Sequence, residues 1–504
     1  MSTIRRQSIL SSIVIYSGFA LGAVNTFLYG RGLAPDQYGL ITGIFVSFGN
    51  IMYAFANLGS PAYIIKFYPY YHDNVAPGEN DMLGRALLIA AIGFLMVTVA
   101  GILFRPIIIR KFGHNSAALI HYYYWIFPFC LGLTLYSILE AYGWQVKASV
   151  FTNSLREFVW RLYNLVLIGL LFTGILTGFE LFVKLYAFSY LFIATIISVY
   201  LHRKGYLRLT LKPSRVTRRF LPKIRSLMRL VWAGQVMFNV SFYFAAVVIA
   251  SVVPQGLTGV GLFTFAQNVA SLIQAPQRGI GSAAVGPLAR AWKERDHGRI
   301  ARIYDRSVIN QLIFSLGMFV LIGLNFRDGI LTFGLKPAYL QALPVFWIIG
   351  LTRIVDMGTG VNTQVIGTSV YWRFDVITGL VLVSFTIPLN YWLAKRLGVT
   401  GPAFADLITF SLYNGIRFLF LYRRFGMQPF KLNAVYTFLL GAGVFVFCNW
   451  LFGSRQGFLW LVMRSVTILA LYGSGIVLLR LSDDVVPVWN TVKKRLGIAG
   501  SPTR

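Results

Sequence analysis

Apolar runs of about 20 residues recur from one end of this sequence to the other, and that spacing limits the fold more than any other feature. Coiled as a helix at 1.5 Å per residue, such a run crosses a hydrocarbon layer of about 30 Å. Spans are expected at 8–29, 39–60, 85–104, 119–142, 158–174, 180–202, 230–252, 258–285, 307–324, 342–362, 375–394, 400–422, 434–452 and 458–480. Hydrophobic residues make up 57% of the 504 positions and charged residues 12%, too few charges to clothe soluble domains of that total length. The expected fold class is an all-α polytopic membrane protein with about 14 transmembrane helices. Cys130 and Cys448 lie far apart inside apolar segments, which indicates core packing and neither a disulfide framework nor a metal knuckle.

The net charge of +30 raises the question of nucleic acid, and its distribution answers it. With both termini on one side, the segments on that side hold 29 Lys and Arg and those on the other side hold nine. Basic loops stay in the cytoplasm, so both termini are expected there. No loop exceeds about 30 residues, which leaves no room for a soluble catalytic domain. The start, MSTIRRQSILSSIVIY, has no small-residue cleavage site and reads as a retained first helix. The segment 61–84 mixes aromatics, Pro and acids and is expected to begin at the interface. The residues after Leu481 have the pattern of a short amphipathic helix on the inner surface.

The stretch 203–229 carries ten Lys or Arg and no acid, with six spans before it and eight after. The expected organisation is a six-helix bundle over 1–202, a basic cytoplasmic linker over 203–229 and a second six-helix bundle over 230–425. Two further membrane helices over 426–480 and a cytoplasmic tail over 481–504 complete it. Val216, Phe220, Ile224 and Leu227 stand at helical spacing within the linker, so it can lie along the inner headgroups. Gly39-Leu40-Ile41-Thr42 opens the second span and Gly261-Leu262-Phe263-Thr264 the eighth, with seven identities over 28 ungapped positions. That register pairs span 2 with span 8 and implies a six-helix repeat.

A charge inside the bilayer costs at least about 2.5–3.5 kcal/mol unless it faces a polar interior or a partner. Eight basic residues fall within or beside the spans: Arg85, Arg161, Lys184, Arg278, Arg353, Arg417, Arg464 and Arg480. Glu157 and Arg161, like Glu180 and Lys184, are spaced i,i+4 at span starts and read first as terminal ion pairs that reach the interface. Arg480 ends the last span as an anchor. Arg278, Arg353 and Arg417 point to a water-filled cationic cavity. Around them, Thr264, Asn268, Ser271, Arg278 and Ser282 form one stripe on span 8. Gln235, Asn239 and Tyr243 form another on span 7, Asp406, Tyr413, Asn414 and Arg417 share a face of span 12, and Ser47, Asn50 and Asn57 lie on span 2. Interhelical hydrogen bonding, worth about 0.6 kcal/mol per contact, is the competing account of the Asn and Ser residues. Asp356, three residues after Arg353, is positioned to neutralise it locally. Pro128, Pro276, Pro344 and Pro388 fall within spans, where each removes a backbone hydrogen bond. The stretch Gly358-Thr359-Gly360 is expected to loosen span 10.

Enzymatic readings find little support. There is no Walker A sequence and no HExxH, and the five histidines are scattered near loops. No catalytic residue, cofactor or metal site is expected.

Ordered motifs resemble the oligosaccharide flippase (polysaccharide transporter) family of the multidrug/oligosaccharidyl-lipid/polysaccharide exporter superfamily. Arg31 to Leu40, RGLAPDQYGL, is similar to the family's motif after its first helix. Gly261-Leu262-Phe263 through Gly286-Pro287-Leu288-Ala289-Arg290 resembles its eighth helix and basic exit. Phe333-Gly334-Leu335 with Tyr339 resembles the turn before its tenth helix. Leu397-Gly398-Val399-Thr400-Gly401-Pro402-Ala403 resembles the opening of its twelfth, with Pro402 in place of the usual Ala. The resemblance spans residues 5 to 425 and implies two six-helix bundles around a central cavity plus two extra helices.

It also implies translocation of a polyprenyl-pyrophosphate-linked oligosaccharide from the inner to the outer leaflet by alternating access. Cell-surface polysaccharide synthesis of the O-antigen or lipopolysaccharide type would be served. On that reading Arg278, Arg353 and Arg417 screen the pyrophosphate, while Asn268, Gln235, Asn239 and Asn50 meet sugar hydroxyls. Asp356 or Asp406 is the candidate site for a coupling proton or sodium ion. Membrane lipids and polysaccharide polymerase or assembly proteins are the expected partners, and nucleic acid is not. A multidrug or cation exporter and a lipid-II-type peptidoglycan precursor flippase are the alternatives.

Overall fold

The computed structural model describes residues 3–484 except 77, 208 and 454, with side chains from residue 17 onward other than those of 278, 372 and 376. The tail beyond 484, expected as an amphipathic helix, lies outside the described residues. Every regular element described is helical. The long helices are α1 (Thr3–Gly32), α2 (Pro35–Ala56), α3 (Met82–Leu103), α4 (Ala117–Gln145), α5 (149–172), α6 (Phe179–Arg203) and α7 (Arg215–Val252). They continue with α8 (Gly256–Gln274), α9 (His297–Thr332), α10 (Pro337–Gly358), α11 (Trp372–Leu397), α12 (Thr400–Phe425), α13 (Leu432–Phe452) and α14 (Phe458–Leu478). Twelve helices, all of these but α1 and α5, are long and apolar enough to cross a membrane. The expected spans coincide with these helices except that 258–285 runs over two helices and 342–362 passes the end of α10, and the chain is an all-α membrane protein.

The helices group into two compact units, residues 1–264 and 265–504. In the first, α4 is the most buried long helix, surrounded by α2, α3, α6 and the helix Ser60–Asn74. In the second, α9 packs against α10, α13 and α14, and α12 against α10 and α11. The basic stretch 203–229 lies within the first unit, and the chain passes from one unit to the other inside α8.

Most of that basic stretch is helix. The Ser214 hydroxyl accepts the Thr217 N–H at 3.2 Å and so caps α7, which starts fifteen residues before the expected span. Val216, Ile224 and Met228 are buried while Arg215, Arg218, Arg219, Lys223, Arg225 and Arg229 face outward. Phe220 packs against Phe67 and Tyr70 of the helix Ser60–Asn74. A buried polar chain fastens this end of α7. Asp81, fully buried, accepts from Arg85 at 2.5 Å and from the Thr217 hydroxyl at 2.7 Å. Thr217 in turn meets the Tyr71 hydroxyl at 2.6 Å, and Tyr63 donates to Tyr71 at 2.8 Å. Asp81 therefore compensates the charge of Arg85, which had stood among the unexplained span-margin cations.

Gly39 and Gly261, matched in the repeat register, meet in space. A Cβ on Gly39 would strike the Leu257 carbonyl and the Gly261 backbone, and a Cβ on Gly261 would strike the Pro35 carbonyl. Leu257 precedes Gly261 by four residues and Pro35 precedes Gly39 by four, so the contact is reciprocal. The helix around Gly39 is wound as a π-helix over Gly39–Phe45, a local unwinding that accompanies the close approach.

Both neighbours are backbone and cannot give way, so Gly39→Ala and Gly261→Ala are each expected to cost about 1–3 kcal/mol. Gly415→Ala, where an added methyl meets nothing within 4 Å, is the neutral control. Thermal unfolding in detergent, followed by size-exclusion fluorescence, measures the difference.

Candidate functional site

The second unit concentrates polar side chains where its helices break. α8 tightens into a 3-10 turn over Ser271–Gln274 and stops at Pro276, and a new helix, Gln277–Lys293, follows. The expected continuous span 258–285 is thus two helices, because Pro276 supplies no N–H to continue the ladder. α10 ends at Gly358 within the loosening stretch, and the chain turns through Gly360 (φ 60°) into the short helix Asn362–Gly367. A side chain at Gly360 would be strained by φ and would also crowd Ser307 and Val308. α12 runs past both breaks without interruption.

A continuous hydrogen-bonded network joins these elements. Asp356 accepts from Gln274 at 3.0 Å and Gln277 at 2.8 Å on one carboxylate oxygen, and from Asn414 at 3.2 Å on the other. Asn414 accepts from Thr359 and Asn362, each at 2.9 Å. Thr363 donates to Asn362 at 3.2 Å and accepts from Arg417 at 2.5 Å. Arg417, 1% exposed, also donates to Thr378 at 3.2 Å, forms an ion pair with Asp375, and lies over the Tyr413 ring at 3.8 Å. All three of its nitrogens are engaged.

Arg353 differs. It is half-buried on α10, its Nε is buried without a hydrogen-bond partner, and it has no ion pair within 4.0 Å among the described residues. Asp356 follows it by three residues on α10, and Asp406 stands on α12, which packs against α10. The structure therefore brings Arg353, Asp356, Asp406 and Arg417 onto the packed pair α10–α12. Arg278 sits in the first turn of the helix Gln277–Lys293, and its side chain is outside the described residues. Asn268 is half-buried on α8, its carbonyl accepting from Ser271 at 2.6 Å.

In the first unit, Asn50 donates to the Val46 carbonyl at 2.7 Å and Asn239 to the Gln235 carbonyl at 2.8 Å, both within their own helices. The Gln235 side-chain oxygen is buried without a partner. This unit also holds charges that sequence reasoning passed over. Glu140, 4% exposed on α4, pairs with Arg156 at 3.3 Å. Arg156 lies in a π-helical segment, Leu155–Val159, beside Glu157, which pairs with Arg161 at 3.0 Å. The extra residue per turn turns Arg156 towards α4 and Arg161 towards α1. There Gly22 leaves room for the Arg161 guanidinium, and Asn25 donates to the Arg161 carbonyl at 2.8 Å. The sequence held one signal for the pair: Glu140 is the sole acid between Asp81 and Glu157. An isolated intramembrane acid requires a partner, here sixteen residues on.

Two other span cations are structural. Lys184 pairs with Glu180 at 2.7 Å. Arg464, 4% exposed, donates to the Leu324 and Arg455 carbonyls at 3.0 and 2.8 Å and pairs with Asp328 at 3.5 Å, tying α14 to α9.

Removing one member of the Arg417–Asp375 pair strands the other in a low-dielectric site. Arg417→Ala is expected to lose about 3 kcal/mol of stability, and the apolar double replacement Arg417→Met with Asp375→Leu to recover most of it. Thermal unfolding of the purified variants reads this directly.

The family model for polysaccharide biosynthesis proteins matches residues 4–290, more than half of the chain. Among solved structures, the chain is similar to the lipid II flippase MurJ in an inward closed conformation, at 13% identity and a TM-score of 0.73, covering 95% of this chain and 100% of that one. An inward-facing multidrug resistance MATE family transporter of the MOP superfamily matches at 16% identity and a TM-score of 0.64, over 81% and 94%. A MOP superfamily transporter from Pyrococcus furiosus, whose binding pocket is described as having reversed polarity, matches at 17% identity and 0.55, over 84% and 95%. No curated protein gives a significant match. These likenesses establish the fold, and the family match establishes kinship: the chain belongs to the polysaccharide biosynthesis protein family and has the fold of MOP-superfamily transporters.

Proposed function

We propose that this protein is a flippase that moves a polyprenyl-pyrophosphate-linked oligosaccharide from the inner to the outer leaflet for cell-surface polysaccharide synthesis. The observation that carries the reading is Arg353, a guanidinium held inside the bilayer with an unused donor and no ion pair among the described residues. Keeping such a group is costly unless an anion visits it. A pyrophosphate meets that need, because guanidinium and phosphate oxygens form paired charge-assisted hydrogen bonds. A cation-export site would favour free carboxylates instead, whereas Asp356 is ringed by three amide donors.

The mechanism is alternating access without covalent chemistry. The cation binds the pyrophosphate, the lipid tail stays in the bilayer, and amide side chains exchange their local bonds for sugar hydroxyls. Asn268, Gln235, Asn239 and Asn50 are the candidates for that exchange, and Gln235 already has an oxygen without a partner. Arg417 holds the network in shape, since every nitrogen it has is engaged. Asp356 and Asp406 are the candidate sites for a coupling proton or sodium ion: both are acids on helices that carry an arginine, so adding a cation there changes the charge balance around Arg353. The setting is the bacterial inner membrane with cytoplasmic termini, as the basic bias of the loops requires.

A lipid-II-type precursor is a second reading, favoured by the similarity to a lipid II flippase over that protein's full length. Both substrates present a polyprenyl pyrophosphate, and the sugar portion separates them.

Arg353→Gln is expected to lower translocation about tenfold or more, the equivalent of one charge-assisted hydrogen bond, at matched protein levels. Arg353→Lys should retain part of the rate. Leaflet-resolved analysis of lipid-linked oligosaccharides in cells is the measurement. Wild-type distribution in Arg353→Gln would overturn the assignment, and accumulation of peptidoglycan precursor alone would favour the second reading.

A further inference from the structure

The short helix Arg105–Phe112, which follows α3, presents three cations that membrane topology does not explain. Phe112 anchors it, 5% exposed and packed edge-to-face on Phe48 at 5.7 Å. The rest of its surface is open. Ile102, Leu103, Phe104, Ile107 and Ile109 are exposed, as are Arg110 and Lys111. Arg105 is half-buried, its guanidinium 5.3 Å from the centre of the Tyr124 ring and its Nε buried without a hydrogen-bond partner. Arg105 and Arg110, with Ile102, Pro106, Ile109 and Tyr124, line a shallow depression of about 430 Å³. No acid occurs between Asp81 and Glu140, and none of the three cations makes an ion pair among the described residues.

The position of this helix sharpens the anomaly. α3 has 22 residues and so rises about 33 Å, from the Asp81 cluster beside the basic stretch to Arg105. The helix Arg105–Phe112 therefore stands at the opposite membrane face, the side on which the sequence places few basic residues. Retention of a loop in the cytoplasm accounts for 203–229 and cannot account for these three.

We propose that this depression binds the phosphodiester headgroup of an anionic phospholipid in the leaflet opposite the basic stretch. Charge complementarity selects the occupant: three cations without an ion pair among the described residues, in a stretch of sequence without acids, favour an anion, and the exposed apolar side chains beside them favour acyl chains. Tyr124 holds the Arg105 guanidinium from one side, and the Arg105 and Arg110 side chains that line the depression offer their terminal nitrogens to phosphate oxygens. Ile102, Leu103, Phe104 and Ile107 lie along the first carbons of the chains. The site is independent of the translocation proposed above.

The test places a photo-crosslinking residue at Ile109 (Ile109→p-benzoylphenylalanine) in the full-length protein, reconstituted in vesicles of equal phosphatidylglycerol and phosphatidylcholine. Phosphatidylglycerol adducts are expected to exceed phosphatidylcholine adducts about fivefold or more. Adding Arg105→Gln, Arg110→Gln and Lys111→Gln should equalise them, and the exposed pair Arg110→Gln and Lys111→Gln alone, which leaves the Arg105 packing intact, should reduce the excess. Equal labelling in the parent protein overturns the proposal, as does an excess that survives all three substitutions. Displacement of the phosphatidylglycerol adduct by a trace of polyprenyl pyrophosphate would overturn it in favour of the transported lipid.

Discussion

In a hydrocarbon layer, an unpaired peptide group and an unpaired charge pose the same problem, since no water is present to satisfy either. This chain meets both needs at the same places. Where α8 stops at Pro276 and α10 stops at Gly358, backbone groups are freed, and the side chains that collect there are Gln, Asn, Thr and Asp. Asp356 then satisfies two glutamine amides and one asparagine amide, and Asn414 passes the connection on towards Arg417. An unbroken α10 would carry Thr359, Asn362 and Thr363 past Asn414 at helical pitch and could not bend them back onto it. The break creates the polar site.

The same physics separates the cations of the second unit into two kinds. Arg417 and Arg464 are buried, hydrogen-bonded and compensated by Asp375 and Asp328 respectively. Such a group does not release its bonds to a ligand without bearing the desolvation cost it was paired to avoid. Arg353 is the group with an unused donor, its nearest acids being held by other partners or lying beyond ion-pair distance. On the proposed function, a binding role and a framework role fall to different arginines that composition alone makes look alike.

The sequence was legible wherever cause and effect lie within a turn or two of helix. Apolar length placed the long helices, i,i+4 spacing paired Glu157 with Arg161 and Glu180 with Lys184, and Gly358-Thr359-Gly360 announced the end of α10. It was less legible where the partner is remote. Asp375 lies 42 residues before Arg417, and nothing local links them. Glu140 and Arg156 meet only because a π-helical turn at Leu155–Val159 redirects the second residue, and no residue type in that segment marks the extra turn. Asn50 and Asn239 show the converse. Their spacing suggested a polar face, yet each amide returns to its own helix four residues back, where a short polar side chain finds its nearest carbonyl.

The reciprocal contact of Gly39 and Gly261 bears on how such a protein moves. Backbone packed on backbone has no side chain to repack, so the crossing keeps its separation while the flanking helices tilt. On one arm of this crossing the π-helical turn beginning at Gly39 departs from α-helical winding. On the other arm, four helical turns beyond Gly261, stands the break at Pro276 with Gln274 and Gln277 on either side of it. The two glycines matched in the sequence register thus meet backbone to backbone, between two departures from regular α-helix.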